Sequence, residues 1–214
     1  STSTDQQGVD LPPVAVTPAQ MRVIMGHLAE VAAKADADLD PNAASTRFAG
    51  AALDARRANY AIRKADSGLP AIGAIPTTTP SLFLPESTNT WPRSLFAVYQ
   101  PDVKEVKDEK DTQANKAPTV ALVLQQLSPR DNYKVIYQTN LQANQTVPEV
   151  AAANVGTVEV PADSKLLLLS PNEVGAAYAD VLANGEKSSY YEDFQVEGDS
   201  LRSALQAERA QQNA

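Results

Sequence analysis

Five prolines between residues 70 and 92 divide this chain more sharply than any other feature. Pro70, Pro76, Pro80, Pro85 and Pro92 stand among Thr and Ser, and each lacks a backbone N–H. Neither a helix nor a central strand runs through such a stretch, so it reads as a long irregular segment crossing the surface. Leu82, Phe83 and Leu84 are the residues that pin it to a core. Helical patterns precede it and strand patterns follow it.

On the helical side, Thr17-Pro18-Ala19-Gln20 opens a helix, with Thr17 as N-cap and Pro18 at the first helical position. Met21, Ile24, Met25, Leu28, Ala32, Ala35 and Leu39 then recur at three- and four-residue intervals, one apolar face running to about residue 39. Pro41 ends it. A second helix is expected over 42–66, with Phe48, Ala51, Ala52, Ala55, Asn59 and Ile62 as its stripe. Arg56, Arg57, Arg63 and Lys64 lie off that stripe, and Gly68 and Pro70 stop the helix.

Beyond the prolines, 94–100 and 119–127 read as an antiparallel strand pair around a charged loop at 104–116. A third strand over 132–140 alternates Tyr133, Val135 and Tyr137. Lys165–Leu169 is a short buried strand or the approach to the next helix. Ser170-Pro171-Asn172-Glu173 is a capping box with proline at the first helical position. It opens a helix over about 171–183 that stops at Asn184-Gly185. A polar helix with a thin stripe of Leu201 and Leu205 closes the chain over 199–213. The order helix, helix, strands, helix, without βαβ alternation, predicts an α+β fold with N-terminal helices packed on an antiparallel sheet. The expected organisation is a tether over 1–17, one α+β domain over 18–198 and a C-terminal polar helix over 199–214.

The side-chain inventory excludes much chemistry. There is no cysteine in the 214 residues, which removes disulfides, thiolate catalysis and Cys-based zinc or iron–sulfur sites. A single histidine, His27, lies beside the apolar stripe of the first helix and reads as a boundary residue; no G-x-S-x-G elbow accompanies it. The nine glycines are never closer than five residues apart. That rules out a G-x-G-x-x-G loop, and no G-x-x-x-x-G-K-[ST] occurs. A net charge of −8 repels phosphate backbones, so no nucleic-acid partner is expected. No apolar run of about 18 residues is present. The polar residues 1–17 read as a leader and not as a signal peptide.

Four groups remain as candidates. Asp36, Asp38 and Asp40, with Asn42, alternate as oxygen ligands for calcium do, although Pro41 and Arg47 stand where an EF-hand loop wants Gly and Glu. The blander reading is a solvated helix end and the cap of the next helix. Arg56 and Arg63 are seven residues apart on one helix face near Tyr60, where they can receive a carboxylate or phosphate of a ligand, or pair with the chain's own acids. Asn59 falls on the apolar stripe and needs partners, either on the proline segment or in a pocket between helix and sheet. Glu192 and Asp193 beside Tyr190 and Tyr191 have the composition of a sugar site, as well as that of a surface anchor. Glu105, Asp108, Glu109 and Asp111 form a charge run of the kind found in wet loops. Asn144-Gln145-Thr146 matches a glycosylation acceptor.

The segment Arg47-Phe48-Ala49-Gly50-Ala51-Ala52-Leu53-Asp54-Ala55-Arg56-Arg57-Ala58-Asn59-Tyr60 resembles an R-F-x-G-x-A-L-x-x-R-x-A-x-Y pattern. With Trp91-Pro92-Arg93, Leu127-Ser128-Pro129-Arg130-Asp131-Asn132-Tyr133-Lys134, Leu169-Ser170-Pro171 and Tyr178-Ala179-Asp180-Val181-Leu182, it resembles an uncharacterised family of actinobacterial exported lipoproteins. The likeness covers about residues 45–185. It implies a cystatin-like or NTF2-like fold, with helices held in a curved sheet. It also implies an extracytoplasmic protein whose membrane attachment comes only through an N-terminal anchor absent from this chain, and relatives that continue past its C-terminus. It implies no activity. The leading functional expectation is therefore a non-catalytic module of the bacterial cell envelope that binds a protein, a glycan or a small ligand without a cofactor. An apolar cleft lined by Phe48, Asn59 and Ile62 would serve it. The alternatives are a carboxylate-dependent wall-glycan hydrolase and a purely structural spacer.

Overall fold

The computed structural model describes residues 12–100, 119–141, 150 and 152–212. Helix α1 (Pro18–Asp38) begins at a capping box in which Thr17 and Gln20 exchange side-chain and backbone hydrogen bonds. Its buried face is Met21, Met25, Leu28, Ala32 and Ala35, as the sequence spacing requires. Leu39 ends it in the left-handed region at φ 52. Asp40 then caps α2 (Pro41–Ser45), accepting from the N–H groups of Asn42 and Ala43.

The second expected helix is interrupted. Between α2 and α3 (Gly50–Ala65), the backbone of Arg47 and Ala49 bonds to Val135, so that Phe48 bridges the sheet edge in parallel. Phe48 is wholly buried there. The face that α3 buries is Ala52, Leu53, Arg56 and Tyr60, while Ala51, Ala55 and Ile62 are exposed. Alanines drive a helix's rotation weakly, because burying a methyl gains little. Two large amphipathic side chains with partners inside outweigh them.

The sheet is β1 (Leu82–Pro85), β2 (Arg93–Tyr99), β3 (Thr119–Gln126) and β4 (Lys134–Leu141), in that order and antiparallel throughout. The protein is therefore α+β. Leu82–Pro85, expected only as an anchor in the proline segment, forms the edge strand β1, a position that tolerates Pro85. Leu95, Ala97 and Tyr99 of β2, with Leu122 and Leu124 of β3, face the helices and join their buried faces in one core. Burying Leu122 and Leu124 stabilises the fold by roughly 1.5–3 kcal/mol each. Between Val123 and Leu124 the partner register jumps from Tyr137 to Val135, leaving Ile136 as a bulge. The Trp91–Pro92 peptide is cis.

Within the segment expected to be a tether, residues 12–17 are held in place. Val14 bridges Ser87, Ala15 N–H donates to Glu86 at 2.7 Å, and Val16 is buried. Val14 and Val16 carry enough apolar surface to dock a proline-flanked strand. The charged loop at 104–116 and Asn144-Gln145-Thr146 lie outside the described residues.

Two compact units make up the chain, divided between Glu159 and Val160. The second contains α4 (Pro171–Asn184), two short 3-10 turns (Gly185–Lys187 and Tyr191–Asp193) and α5 (Ser200–Gln212). The Ser170–Glu173 capping box opens α4. Lys165–Leu169 leads into it as an exposed bend and not as a buried strand; Leu166 is 95% accessible, and the run has no ladder partner among the described residues. No helix of the described residues is long and apolar enough to cross a membrane.

Candidate functional site

A partly enclosed pocket of about 180 Å³ opens where the first turns of α1 meet β1, β2 and the proline segment. Met21 and Met25 are fully buried on its wall, and Phe83 and Pro80 are half-buried. These residues converge for a local reason. The α1 spacing puts Met21 and Met25 on the inward face, and the alternation of β2 puts Tyr99 on the same side as Leu95 and Ala97. Tyr99 is only 2% accessible, and among the described residues its hydroxyl has no hydrogen-bond partner. Burial pushes its ionisation well above the ordinary phenol range, so it is present as a neutral O–H donor. Leaving such a group dry costs about 1–3 kcal/mol. The outer rim is polar, with Thr78, Thr79 and Arg22 all exposed.

Two more open grooves lie on the first unit. One of about 530 Å³ is lined by His27, Arg47, Gln126, Asp131 and Asn132. It gathers parts of three sequence motifs: Gln126 also accepts from the Trp91 indole at 3.0 Å, and the Arg93 guanidinium lies 3.8 Å over the Trp91 ring. The other, of about 540 Å³, lies on the opposite sheet face, with Phe96, Val123 and Tyr137 beside Glu86 and Glu159. A Glu86 carboxylate oxygen accepts from the Ser94 N–H at 2.8 Å.

The residues expected to bind a ligand meet one another, but around Asp36. Arg56 is wholly buried, with Nε 3.4 Å from the Asp36 carboxylate, Nη1 donating to Gln138 at 3.0 Å and the guanidinium 3.7 Å from the Phe48 ring centre. Burial works against its charged form, and Asp36 works for it. Tyr60 donates to the same carboxylate at 2.5 Å, and Arg63 donates to the Asp36 carbonyl at 2.9 Å. Asn59 donates to the Pro70 carbonyl at 3.0 Å, tying α3 to the proline segment. The group clamps α3 to the end of α1. The expected cleft of Phe48, Asn59 and Ile62 does not form, since Phe48 is in the core and Ile62 is 52% accessible.

The aspartates of the calcium pattern diverge. Asp36 holds Arg56 and Tyr60, Asp38 pairs with Lys34 at 2.8 Å, and Asp40 caps α2. Among the described residues no group of three or more His, Cys, Asp or Glu is placed to hold a metal. Glu192 and Asp193 sit on a short 3-10 turn of the second unit, and Glu105, Asp108, Glu109 and Asp111 lie outside the described residues. Sequence reasoning passed over Tyr99, although one signal was present. A phenol in phase with Leu95 and Ala97 brings a polar group into the core that needs a partner.

Residues 12–214 match the family model of a domain of unknown function (DUF8094). No curated protein and no solved structure matches the chain.

Proposed function

The chain belongs to the DUF8094 family, and from its geometry we propose that it is a non-catalytic binding module which takes a small, mostly apolar ligand in the Tyr99 pocket. One observation carries the reading: a partly enclosed cavity of about 180 Å³ walled by Met21, Met25, Phe83 and Tyr99. A cavity of this size accepts a ligand about as large as benzene. Titration with benzene, followed by NMR, tests this. Benzene should shift the Met21, Met25 and Phe83 resonances saturably, and Phe83→Trp, which fills the cavity, should weaken binding about tenfold. Unchanged spectra at saturating benzene would sink the reading.

The proposed setting is the bacterial cell envelope, with the module exported and tethered by an N-terminal anchor. The motif likeness to exported actinobacterial lipoproteins supports it. Fractionating cells that carry the full gene product, with radiolabelled palmitate, tests that setting; unlabelled protein in the cytosolic fraction overturns it.

A second reading, a carboxylate-dependent wall-glycan hydrolase, draws on Glu86 and Glu159 sharing one groove with Tyr137. It requires wild-type protein to release reducing ends from purified cell wall, and Glu159→Gln to stop the release. The spacer alternative expects no pocket, and the Tyr99 cavity weighs against it.

A further inference from the structure

An antiparallel sheet with one face on a core usually turns polar residues to water on the other. This sheet does not. Leu84 pairs with Phe96, Phe96 with Val123 and Val123 with Tyr137, so one row of large apolar side chains crosses all four strands. Strand alternation turns that row away from Leu95, Ala97 and Leu122, which face the helices. Leu84, Phe96 and Val123 are half-buried and Tyr137 is exposed. The row floors the open groove of about 540 Å³, which Glu86 and Glu159 also line, and no basic residue is among its described lining.

The second unit carries a surface of the complementary kind. Leu166, Leu167 and Leu168 are consecutive and all exposed, Leu166 at 95% and Leu168 at 86%. A single exposed leucine is ordinary. Three in a row, on the bend that leads into α4, form the kind of contiguous apolar patch that marks an interaction surface. Lys165 stands directly before them, exposed and without an ion pair among the described residues. A cation followed by aliphatic side chains matches an apolar groove edged by two carboxylates in both shape of polarity and sign of charge. Because both surfaces belong to one chain, a second copy supplies the missing half of each.

We propose that this protein self-associates by exchanging these surfaces: the Lys165–Leu169 bend of one copy enters the sheet-face groove of another, with Leu166 and Leu168 against Phe96 and Tyr137 and Lys165 beside Glu86 and Glu159. Reciprocated about a two-fold axis, the exchange makes two such contacts and closes at the dimer. The contact is small, so the dissociation constant is roughly 10–100 µM. It is independent of the Tyr99 pocket, which lies on the other face of the sheet.

Sedimentation equilibrium of the whole chain, from about 5 µM to about 1 mM, tests it. Wild type should pass from monomer to dimer, and the dimer should weaken as salt rises. Leu166→Ser combined with Leu168→Ser, exposed changes that leave the core alone, should weaken dimerisation at least about tenfold. Lys165→Glu and Glu159→Lys should each weaken it about fivefold at low salt. Mixing those two variants should restore dimerisation, because in the mixed pair each bend meets a groove of opposite charge. A protein that stays monomeric at every concentration overturns the proposal. So does a dimer that the leucine changes leave intact, or charge variants that mixing does not rescue.

Discussion

Each unit of this protein buries one arginine, and the two arginines are treated differently. In the first unit Arg56 lies against a carboxylate, an amide and an aromatic ring, supplied by Asp36, Gln138 and Phe48; Nη1 is hydrogen-bonded, while Nε and Nη2 have no hydrogen-bond partner among the described residues. In the second, Arg202 is 3% accessible, and its guanidinium lies 4.3 Å from the Tyr191 ring centre, with no hydrogen-bond partner among the described residues on any of its three nitrogens. The surroundings differ in the same sense. The first unit has a continuous apolar core over helices and sheet, whereas among the described apolar residues of the second only Ala177 and Val181 are fully buried. Polar contacts organise the second unit instead. Tyr178 packs on Phe194 and donates to Asp199 at 2.6 Å, and Asp199 caps α5 through the Arg202 N–H at 2.9 Å. Where a core is large, a buried charge can be paired within it; where it is small, rings and caps do most of the ordering.

The largest test of that contrast removes the partner of Arg56. Asp36→Ala strands a buried charge and should cost about 3–5 kcal/mol. Urea unfolding followed by Trp91, the only tryptophan and a residue of the first unit, measures it. A loss under about 1 kcal/mol would mean the ring and Gln138 suffice, and the difference between the two arginines would shrink.

Glycines compare the packing of the units directly. Gly156 and Gly198 both have positive φ, at 80 and 83, so either alanine substitution strains the backbone by about 1–2 kcal/mol. A Cβ at position 156 would also lie 2.7 Å from the Ser87 Cβ and 3.2 Å from the Pro85 carbonyl, while one at 198 meets nothing within 4 Å. Gly156→Ala should therefore cost about 3 kcal/mol and Gly198→Ala only the strain. Equal losses of thermal stability would deny the difference in packing.

The units should also fail at opposite ends of the pH scale. Burial raises the pKa of Tyr60, Tyr99 and Tyr133 in the first unit. Above about pH 10 the unfolded chain loses phenolic protons that the folded chain keeps, so stability falls as pH rises, by up to about 1.4 kcal/mol per pH unit per phenol. In the second unit the Tyr178 hydrogen bond holds Asp199 below the usual carboxylate range, and Ser170 does the same for Glu173. That support is present above the unfolded value near pH 4 and is lost as pH falls through the folded values. Amide exchange in α5 should accelerate first in acid, and the strands of the first unit first in alkali. The reverse order would break the comparison.

The smallest effect is expected at Arg202 itself. Arg202→Leu removes a buried charge that has the Tyr191 ring beside it and no hydrogen bond among the described residues, so stability should stay within about 1 kcal/mol of wild type or rise. A loss above about 2 kcal/mol in α5 exchange protection would show that Arg202 is held as firmly as Arg56.

Local signals carried α1, the capping boxes at Thr17 and Ser170, three strands and the α+β class, because each rests on spacing or on a short-range hydrogen bond that the residues themselves specify. The rotation of α3 was not legible. Its alanines suggested one face, and the side chains that set the other, Arg56 and Tyr60, are polar until their partners are known. Those partners lie 24 and 82 residues away, at Asp36 and Gln138. The same limit explains the candidate site. The arginines expected to meet a ligand meet Asp36, and the pocket forms around Tyr99, which no motif marks.

From the residues alone came the periodicities, the helix stops, the absence of thiol chemistry and of Cys-based metal sites, and the excess of acid, all of which are properties of neighbours along the chain or of counts. The pairing of Arg56, the docking of Val14 and Val16, the exposure of Leu166 and the dry hydroxyl of Tyr99 were decided only when distant segments met. A buried polar atom's partner is a matter of three-dimensional distance, and hydrophobic patterning fixes which side of an element turns inward without saying what will be waiting there.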